Sequence, residues 1–142
     1  LTDPAAAMGR VQLRRSREMR DKRASIAARY DEAFSALPLR LPAHAVECDT
    51  HAWHLYVIRL TADAKVDRDT FLANMTKAGV GCSVHFIPLH MHPYWREQCQ
   101  LDDAQFPVAT AEFANVVSLP IFSSMTDAQV DTVIQTVRKV LS

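Results

Sequence analysis

The sequence contains little glycine, with three residues in a chain of 142. A P-loop and a dinucleotide-binding turn each need several glycines in one short motif, so the composition disfavours a self-contained nucleotide-binding enzyme of either type. The Gly-x-Ser-x-Gly turn of serine hydrolases is also missing from the sequence. No run approaches about 18 apolar residues, which argues against a membrane-spanning helix.

Cysteine is equally scarce, and Cys48, Cys82 and Cys99 are too few and too widely spaced for a disulfide framework. Free thiols favour a reducing compartment, so we expect the protein in the cytoplasm. Neither acidic nor basic residues are in excess, since 16 of each give a formal net charge of zero. Hydrophobic residues make up 49% of the chain, which is typical of a globular protein and predicts a real core.

The charge is balanced overall but not locally, because residues 10–29 carry eight basic side chains against only two acidic ones. A basic helix can bind nucleic acid. No aromatic residues interleave with these charges and no known nucleic-acid motif follows, so a solvated or partner-facing helix is favoured. We therefore expect neither a nucleic-acid nor a membrane partner.

The first part of the chain has apolar residues at helical spacing and predicts one long helix over residues 4–36. Asp3 is the expected N-cap and Pro4 the first helical residue. The chain begins with Leu1 rather than Met and enters this helix at once. We therefore expect it to be a segment of a longer protein.

The rest of the chain mixes short strands and helices, which predicts an α+β fold, a small α/β-type domain in which a mostly antiparallel sheet of about three strands packs against helices. Asp67 caps one predicted helix and Gly79 closes it, while Thr126 and Gln129 form a capping box before the last helix. The other predicted elements are a short extended piece at 39–41, strands at 53–60, 80–87 and 116–119, and helices at 93–99 and 107–115.

Three histidines, His85, His90 and His92, lie within eight positions and are the densest group that could carry chemistry. One hypothesis is a metal site, since His90 and His92 alternate and would share one face of an extended segment. A second is substrate recognition or proton transfer, and a third is a structural role in a turn. Cys82 and His85 would point to opposite faces of a strand, which disfavours a thiolate–imidazole pair. From the residues alone, the structural role is favoured.

Five motifs occur in order along the chain and together resemble the C-terminal part of the DegT/DnrJ/EryC1/StrS family of sugar aminotransferases. The resemblance extends over essentially the whole chain. The five motifs comprise residues 6–13, residues 23–30, residues 54–59, the segment from Gly79 through His85-Phe86-Ile87-Pro88-Leu89-His90, and residues 118–122 with Met125-Thr126-Asp127.

The resemblance implies a pyridoxal-phosphate (PLP) enzyme of fold type I that moves an amino group, usually from glutamate, onto a keto group of a nucleotide-linked sugar. It also implies a homodimer with active sites at the subunit interface. Residues 1–36 would then be a helix leading in from a large N-terminal domain, and residues 37–142 the small C-terminal domain. The family's cofactor lysine precedes the matched region. We therefore expect no catalytic, cofactor-binding or metal-binding residue in this segment, and an inactive isolated chain.

The resemblance also implies a role for the histidine segment, because the family's His-aromatic-x-Pro-x-His motif lies near the mouth of the active site. The expected substrate-binding residues are His85, Phe86, His90 and Tyr94. A stand-alone, non-catalytic module that binds a sugar nucleotide or a protein is the alternative. Met8, Val11 and Met19 would face the large domain, and exposing them would make the isolated chain self-associate.

Overall fold

The computed structural model describes residues 2–46 and 48–142 and places five helices around a small sheet. Leu1, at the start of the predicted 1–36 segment, lies outside the described residues. The helices are α1 (Asp3–Phe34), α2 (Arg68–Lys77), α3 (Pro93–Gln98), α4 (Pro107–Asn115) and α5 (Asp127–Leu141), and the strands are β1 (Leu39–Arg40), β2 (Tyr56–Leu60) and β3 (Val116–Leu119).

The first helix, α1, covers nearly the predicted range but begins one position earlier, because Thr2 is the N-cap in place of Asp3. Only its C-terminal part joins the core, through Ile26, Ala27, Tyr30 and Phe34. Residues 7–18 are exposed on every side. The long helix is therefore anchored at one end and projects at the other.

The three strands form one antiparallel sheet in the order β1-β2-β3, which confirms the predicted fold class. Alternation along β2 places Tyr56, Ile58 and Leu60 in the core, against helices α1, α2 and α5. Val57 lies opposite Ser118 of β3, and paired residues of antiparallel strands share a face. Val57 and Ser118 therefore lie on the outer face of the sheet, away from the core.

Two strand predictions need correction. The predicted strand 53–60 begins only at Tyr56, because Trp53 has a φ of +47° and turns the chain before the ladder starts. The predicted strand 80–87 does not form, since only Ser83 pairs with β3, through two backbone hydrogen bonds to Ser118. The β-branched composition of this segment indicated a strand, but β3 offers it a partner at one residue alone.

The helix ends follow the sequence signals closely. The Asp67 carboxylate accepts the Thr70 N–H at 2.8 Å, and hydrogen bonding to this N–H lowers the pKa of Asp67. Gly79 has a φ of +79° and follows the last turn of α2, where its N–H bonds to Thr76 and the N–H of Val80 bonds to Met75. This is a Schellman ending. Thr126 and Gln129 form the predicted capping box of α5.

The core is centred on two tyrosines whose rings meet edge to face at 5.0 Å. The Tyr30 hydroxyl donates to the Pro120 carbonyl at 2.9 Å, and the Tyr56 hydroxyl donates to the Asp31 carboxylate at 2.7 Å. Burial raises the pKa of both phenols well above the ordinary value. In the part of the chain that the structure describes, no helix is both long and apolar enough to cross a membrane.

Candidate functional site

The candidate site begins where the chain leaves α2 and passes the free edge of β3. Ser83 accepts the Ser118 N–H at 2.8 Å and donates its own N–H to Ser118 at 3.1 Å. Ser118 is buried at the end of this bridge, and its hydroxyl lies on the outer face of the sheet. The pairing fixes the backbone two positions before His85.

His85 is held in place by Ser118, since its Nδ1 lies 3.0 Å from the Ser118 hydroxyl oxygen. The imidazole is otherwise exposed, and among the described residues its Nε2 has no hydrogen-bond partner. One ring nitrogen is thus oriented by the protein while the other faces outward. A neutral or protonated imidazole in this position can bond to an incoming hydroxyl or phosphate oxygen.

Exposed aromatic side chains occur beside His85 and, further along the chain, at the start of α3. Phe86 packs edge-on against the His85 ring at 5.0 Å and is 81% exposed. Tyr94 and Trp95, at the start of α3, meet edge to face at 5.1 Å and are also exposed. So many exposed apolar side chains in one segment indicate a surface that something covers.

His90 differs from His85, because its side chain is only 4% exposed. Its Nε2 lies 3.0 Å from the Thr110 hydroxyl, and its ring stacks on Phe106 at 4.7 Å. Internal contacts therefore occupy the side chain, as expected of a histidine with a structural role. Its assignment as a substrate-binding residue stays a prediction, and direct contact with a substrate would require this packing to open.

The geometry needed for the metal hypothesis is not formed. Leu89–Met91 is a 3₁₀ turn rather than an extended segment, which buries His90 and exposes His92. Across residues 2–46 and 48–142, no three or more His, Cys, Asp and Glu side chains are grouped so as to hold a metal ion. Cys82 is half-buried, and burial raises the pKa of its thiol to about 11, which disfavours it as a nucleophile.

A groove lies along the outer face of the sheet at β2. It has a volume of about 640 Å³ and includes Val57, the cross-strand partner of Ser118, together with Arg59 and the exposed His51 and His54. The Arg59 side chain is paired with Glu112. The outer face thus combines an oriented imidazole with a groove that is lined by apolar side chains and by His51, His54 and Arg59, an arrangement able to bind a ligand with both polar and apolar parts.

Sequence reasoning missed the residues that hold the two histidines. Ser118 lies 33 positions after His85, and Thr110 lies 20 positions after His90, so no local pattern connects them. A signal did exist for the turn that carries Asp103. Asp102 and Gln105 have capping-box spacing, and the structure forms both of their reciprocal hydrogen bonds.

Comparison with known proteins places this architecture in a family. The model of the DegT/DnrJ/EryC1/StrS aminotransferase family matches residues 1–138. The spore coat polysaccharide biosynthesis protein SpsC of Bacillus subtilis (strain 168) is 38% identical over 141 residues, which are 98% of this chain and 36% of that protein. The chain thus spans about a third of the length of the curated relatives it matches.

Solved structures agree with the family match. Spr1654 of Streptococcus pneumoniae, a protein assigned as a sugar aminotransferase and solved in its PMP form, is 31% identical with a TM-score of 0.89, covering 99% of this chain and 35% of that one. The aminotransferase TlmJ of Streptoalloteichus hindustanus is 29% identical with a TM-score of 0.82, covering 96% and 36%. The small sheet, the long first helix and the five ordered motifs are therefore those of the DegT/DnrJ/EryC1/StrS aminotransferase family, to which this chain belongs.

Proposed function

We propose that this chain is the sugar-recognising part of a PLP-dependent aminotransferase that transfers an amino group, with glutamate as donor, to a keto group of a nucleotide-linked sugar. The observation that carries the proposal is the His85 imidazole, fixed through Nδ1 on Ser118 with its other face open beside Phe86. The name of SpsC refers to polysaccharide biosynthesis, and we propose a related use for the amino sugar made here.

The chemistry of the site supports a sugar nucleotide as ligand. His85 Nε2 can bond to a sugar hydroxyl or, when protonated, to a diphosphate oxygen. The exposed rings of Phe86 and Tyr94 can pack on the apolar face of a sugar ring or on a base. A polar anchor in a segment with exposed aromatic rings therefore matches a ligand that is polar at its edges and apolar on its faces.

We further propose that none of the four lysines of this chain holds the PLP. All four lysines, Lys22, Lys65, Lys77 and Lys139, are exposed, whereas a lysine that bonds to a carbonyl cofactor is usually activated by a desolvated or charged pocket. Lys77 and Lys139 share a groove of about 530 Å³, but its lining contains neither an aromatic ring nor a carboxylate. We therefore place the cofactor and its lysine in the part of the relatives that this chain does not span.

We further propose that the projecting half of α1 packs against a large domain, and that the complete enzyme is a homodimer. Met8 and Val11 are exposed, and they lie in line with Ile26 and Tyr30, which are buried against the sheet. Together these four residues form an apolar stripe along α1, and a large domain packed against α1 would cover its exposed part. The projection of α1 is also the basis for dividing the chain into a leading helix, residues 1–36, and a small domain, residues 37–142.

The test begins with the intact mass of the native gene product, compared with the 15.9 kDa of this chain. The purified full-length product is then supplied with PLP, glutamate and keto derivatives of UDP-glucose and dTDP-glucose, and mass spectrometry is used to look for the amino sugar. We expect turnover by the complete product. Binding of UDP-glucose or dTDP-glucose without transfer would favour the stand-alone binding module instead.

Variants of the site sharpen the test. We expect His85→Ala and Phe86→Ala each to raise the KM for the sugar nucleotide by about tenfold, because each removes a direct contact. His92→Ala and Phe122→Ala are the matched controls, since both side chains are exposed and neither was assigned to the site. Equal effects in the site and control variants would contradict the proposed surface.

A further inference from the structure

The region from residue 81 to residue 116 contains a single buried side chain. In this region, which the structure describes throughout, only His90 is buried, and neither α3 nor α4 contains a buried residue. Most of the large apolar side chains of the region are instead exposed. They are Phe86, Ile87, Leu89, Tyr94, Trp95, Phe106 and Val108. A polar residue thus occupies the position that an apolar core would normally fill.

A chain of hydrogen bonds orients His90. The Thr110 hydroxyl can donate to the Asp103 carbonyl oxygen at 3.3 Å and accept from His90. In that arrangement the His90 Nε2–H donates to Thr110 across 3.0 Å. Stacking on Phe106 fixes the plane of the imidazole, and together these contacts join the 3₁₀ turn to the start of α4.

Charge reinforces the same junction. The Asp103 Oδ1 atom is buried without a hydrogen-bond partner, 3.9 Å from His90 Nε2 and 3.6 Å from Arg96 Nη2. A buried carboxylate oxygen favours positive charge nearby. Arg96 belongs to α3. Asp103 therefore attracts Arg96, and with it α3, to the junction beside His90.

His90 lies midway in the sequence between the exposed rings of Phe86 and Tyr94. Phe86 lies four positions before it and Tyr94 four positions after it. Backbone hydrogen bonds close the turn from Met91 to Pro88 at 2.9 Å and begin α3 from Arg96 to His92 at 2.9 Å. Because the His90 side chain ties the turn to Thr110 and Phe106, a displacement of that side chain would move the turn that connects Phe86 to α3.

We propose that His90 is a positioning residue for the sugar-binding surface. Its imidazole, held by Thr110, Asp103 and Phe106, fixes Phe86 and Tyr94 in the arrangement that receives the ligand, without contacting the ligand itself. The inference concerns the same surface as the proposed function and rests on it for the identity of the ligand.

Hydrogen exchange of the full chain, read by mass spectrometry at peptide resolution, tests the positioning directly. His90→Phe keeps the ring stack but removes the Nε2–H donor. We expect exchange in peptides covering residues 86–101 to rise by about tenfold, and exchange in α5 to stay unchanged. His92→Phe is the matched control because His92 is an exposed histidine in the same segment. Unchanged exchange in His90→Phe, or an equal rise in α5, would overturn the proposal.

A second pair of variants guards against simple misfolding. Thr110→Val removes the acceptor of His90 while keeping the shape of the side chain, and Thr110→Ser retains a hydroxyl. We expect rapid exchange over residues 86–101 in Thr110→Val and recovery in Thr110→Ser. His90→Gln, whose amide nitrogen reaches a position similar to that of Nε2, should also recover protection. Absence of recovery in both conservative variants contradicts a role for this hydrogen bond.

Binding of UDP-glucose and dTDP-glucose to the full-length gene product separates this inference from the proposed function. We expect His90→Phe to weaken binding by about tenfold with kcat within about twofold of wild type, as for a residue that organises binding. If wild type binds neither compound nor the other sugar nucleotides, the proposed function fails, while hydrogen exchange still decides the positioning. If wild type binds and His90→Phe binds equally well, the positioning role fails and the proposed function stands.

Discussion

At the scale of single residues, two histidines five positions apart differ because of what surrounds each ring. His85 uses one nitrogen to bond to Ser118 and exposes the rest of its ring, whereas His90 is enclosed by Thr110 and Phe106. An exposed ring can change partners at little cost, but a buried donor that loses its acceptor carries a desolvation penalty of about 1–3 kcal/mol. Substitution of His85 should therefore affect ligand binding. Substitution of His90 should affect local order.

The three cysteines should differ in reactivity. Cys48 and Cys99 are exposed, while Cys82 packs against the core and burial raises the pKa of its thiol to about 11. Because the thiolate is the reactive form, we expect iodoacetamide at pH 8 to label Cys82 at least about tenfold more slowly than the other two. Peptide mass spectrometry measures the three rates. Labelling in guanidinium chloride is the control, and equal rates in the folded protein would contradict the burial of Cys82.

Glu112 should stabilise the sheet by separating two arginines. Arg40 and Arg59 are direct cross-strand partners, and Glu112 of α4 accepts a hydrogen bond from each, at 2.6 Å from Arg40. The Arg59 hydrogen bond in particular holds the pKa of Glu112 below its ordinary value. We expect Glu112→Gln to lower the free energy of unfolding by about 1 kcal/mol at neutral pH, since the pair is partly exposed and screened. Chemical denaturation measures the loss.

The pH dependence of that loss has a definite sign. A carboxylate whose pKa is lowered on folding contributes its full stabilisation above the unfolded pKa of about 4.3, and loses it as the pH falls through the lower pKa of the folded state. The stability difference between wild type and Glu112→Gln should therefore disappear in acid. Glu97→Gln, at an exposed position of α3, is the control and should show no such change. A difference that persists at low pH would contradict the assignment.

At the scale of elements, helix ends are determined by nearby residues, whereas β-pairing depends on residues far away in the sequence. The ends of α2 and α5 are defined within a few residues, by Asp67, by Gly79, and by Thr126 with Gln129. Signals of this kind are local, and the sequence alone was enough to predict them. The same holds for α4, which begins at Pro107 and ends at Asn115 as predicted.

The segment 80–87 shows what local signals cannot decide. Val80, Val84 and Ile87 give it the composition of a strand, yet strand formation requires a partner edge, and β3 offers one at Ser83 only. The candidate site could likewise be predicted only in part from the sequence. His85 and Phe86 could be named from the family motif, but Ser118 reaches His85 only through the fold. Long-range pairing determines both features, and the sequence carries no local record of it.

Substitution by alanine should affect the free energy of unfolding differently at Gly79 and at Gly9. Gly79 has a φ of +79°, and a Cβ there meets nothing within 4 Å, so Gly79→Ala acts through backbone strain alone. We expect it to lower the free energy of unfolding by about 1 kcal/mol. Gly9 lies inside α1 with the same open surroundings, so Gly9→Ala should be neutral or stabilising by up to about 1 kcal/mol. Thermal denaturation followed by circular dichroism measures both, and a loss of stability from Gly9→Ala would contradict this account.

At the scale of the whole molecule, stability and recognition are assigned to different parts of the chain. The core lies between one face of the sheet and α1, α2 and α5. Arg29 of α1 forms ion pairs with Asp127 and Asp131 of α5. The outer face, the 81–116 region and the first half of α1 contribute almost nothing to that core. These are the surfaces on which the proposed sugar nucleotide and large domain would lie.

The projecting half of α1 should make the 142-residue chain self-associate. Met8 lies exposed in line with the apolar stripe that is buried at Ile26, and an uncovered apolar stripe favours association. We expect Met8→Glu to reduce association markedly in sedimentation velocity. Leu13→Glu is the matched control, because Leu13 is 74% exposed against 70% for Met8 but lies on another side of the helix. Both variants add the same charge, so association through the apolar stripe predicts that Met8→Glu reduces self-association more than Leu13→Glu does. A wild-type chain that stays monomeric, or equal effects of the two variants, would contradict α1 as a docking surface.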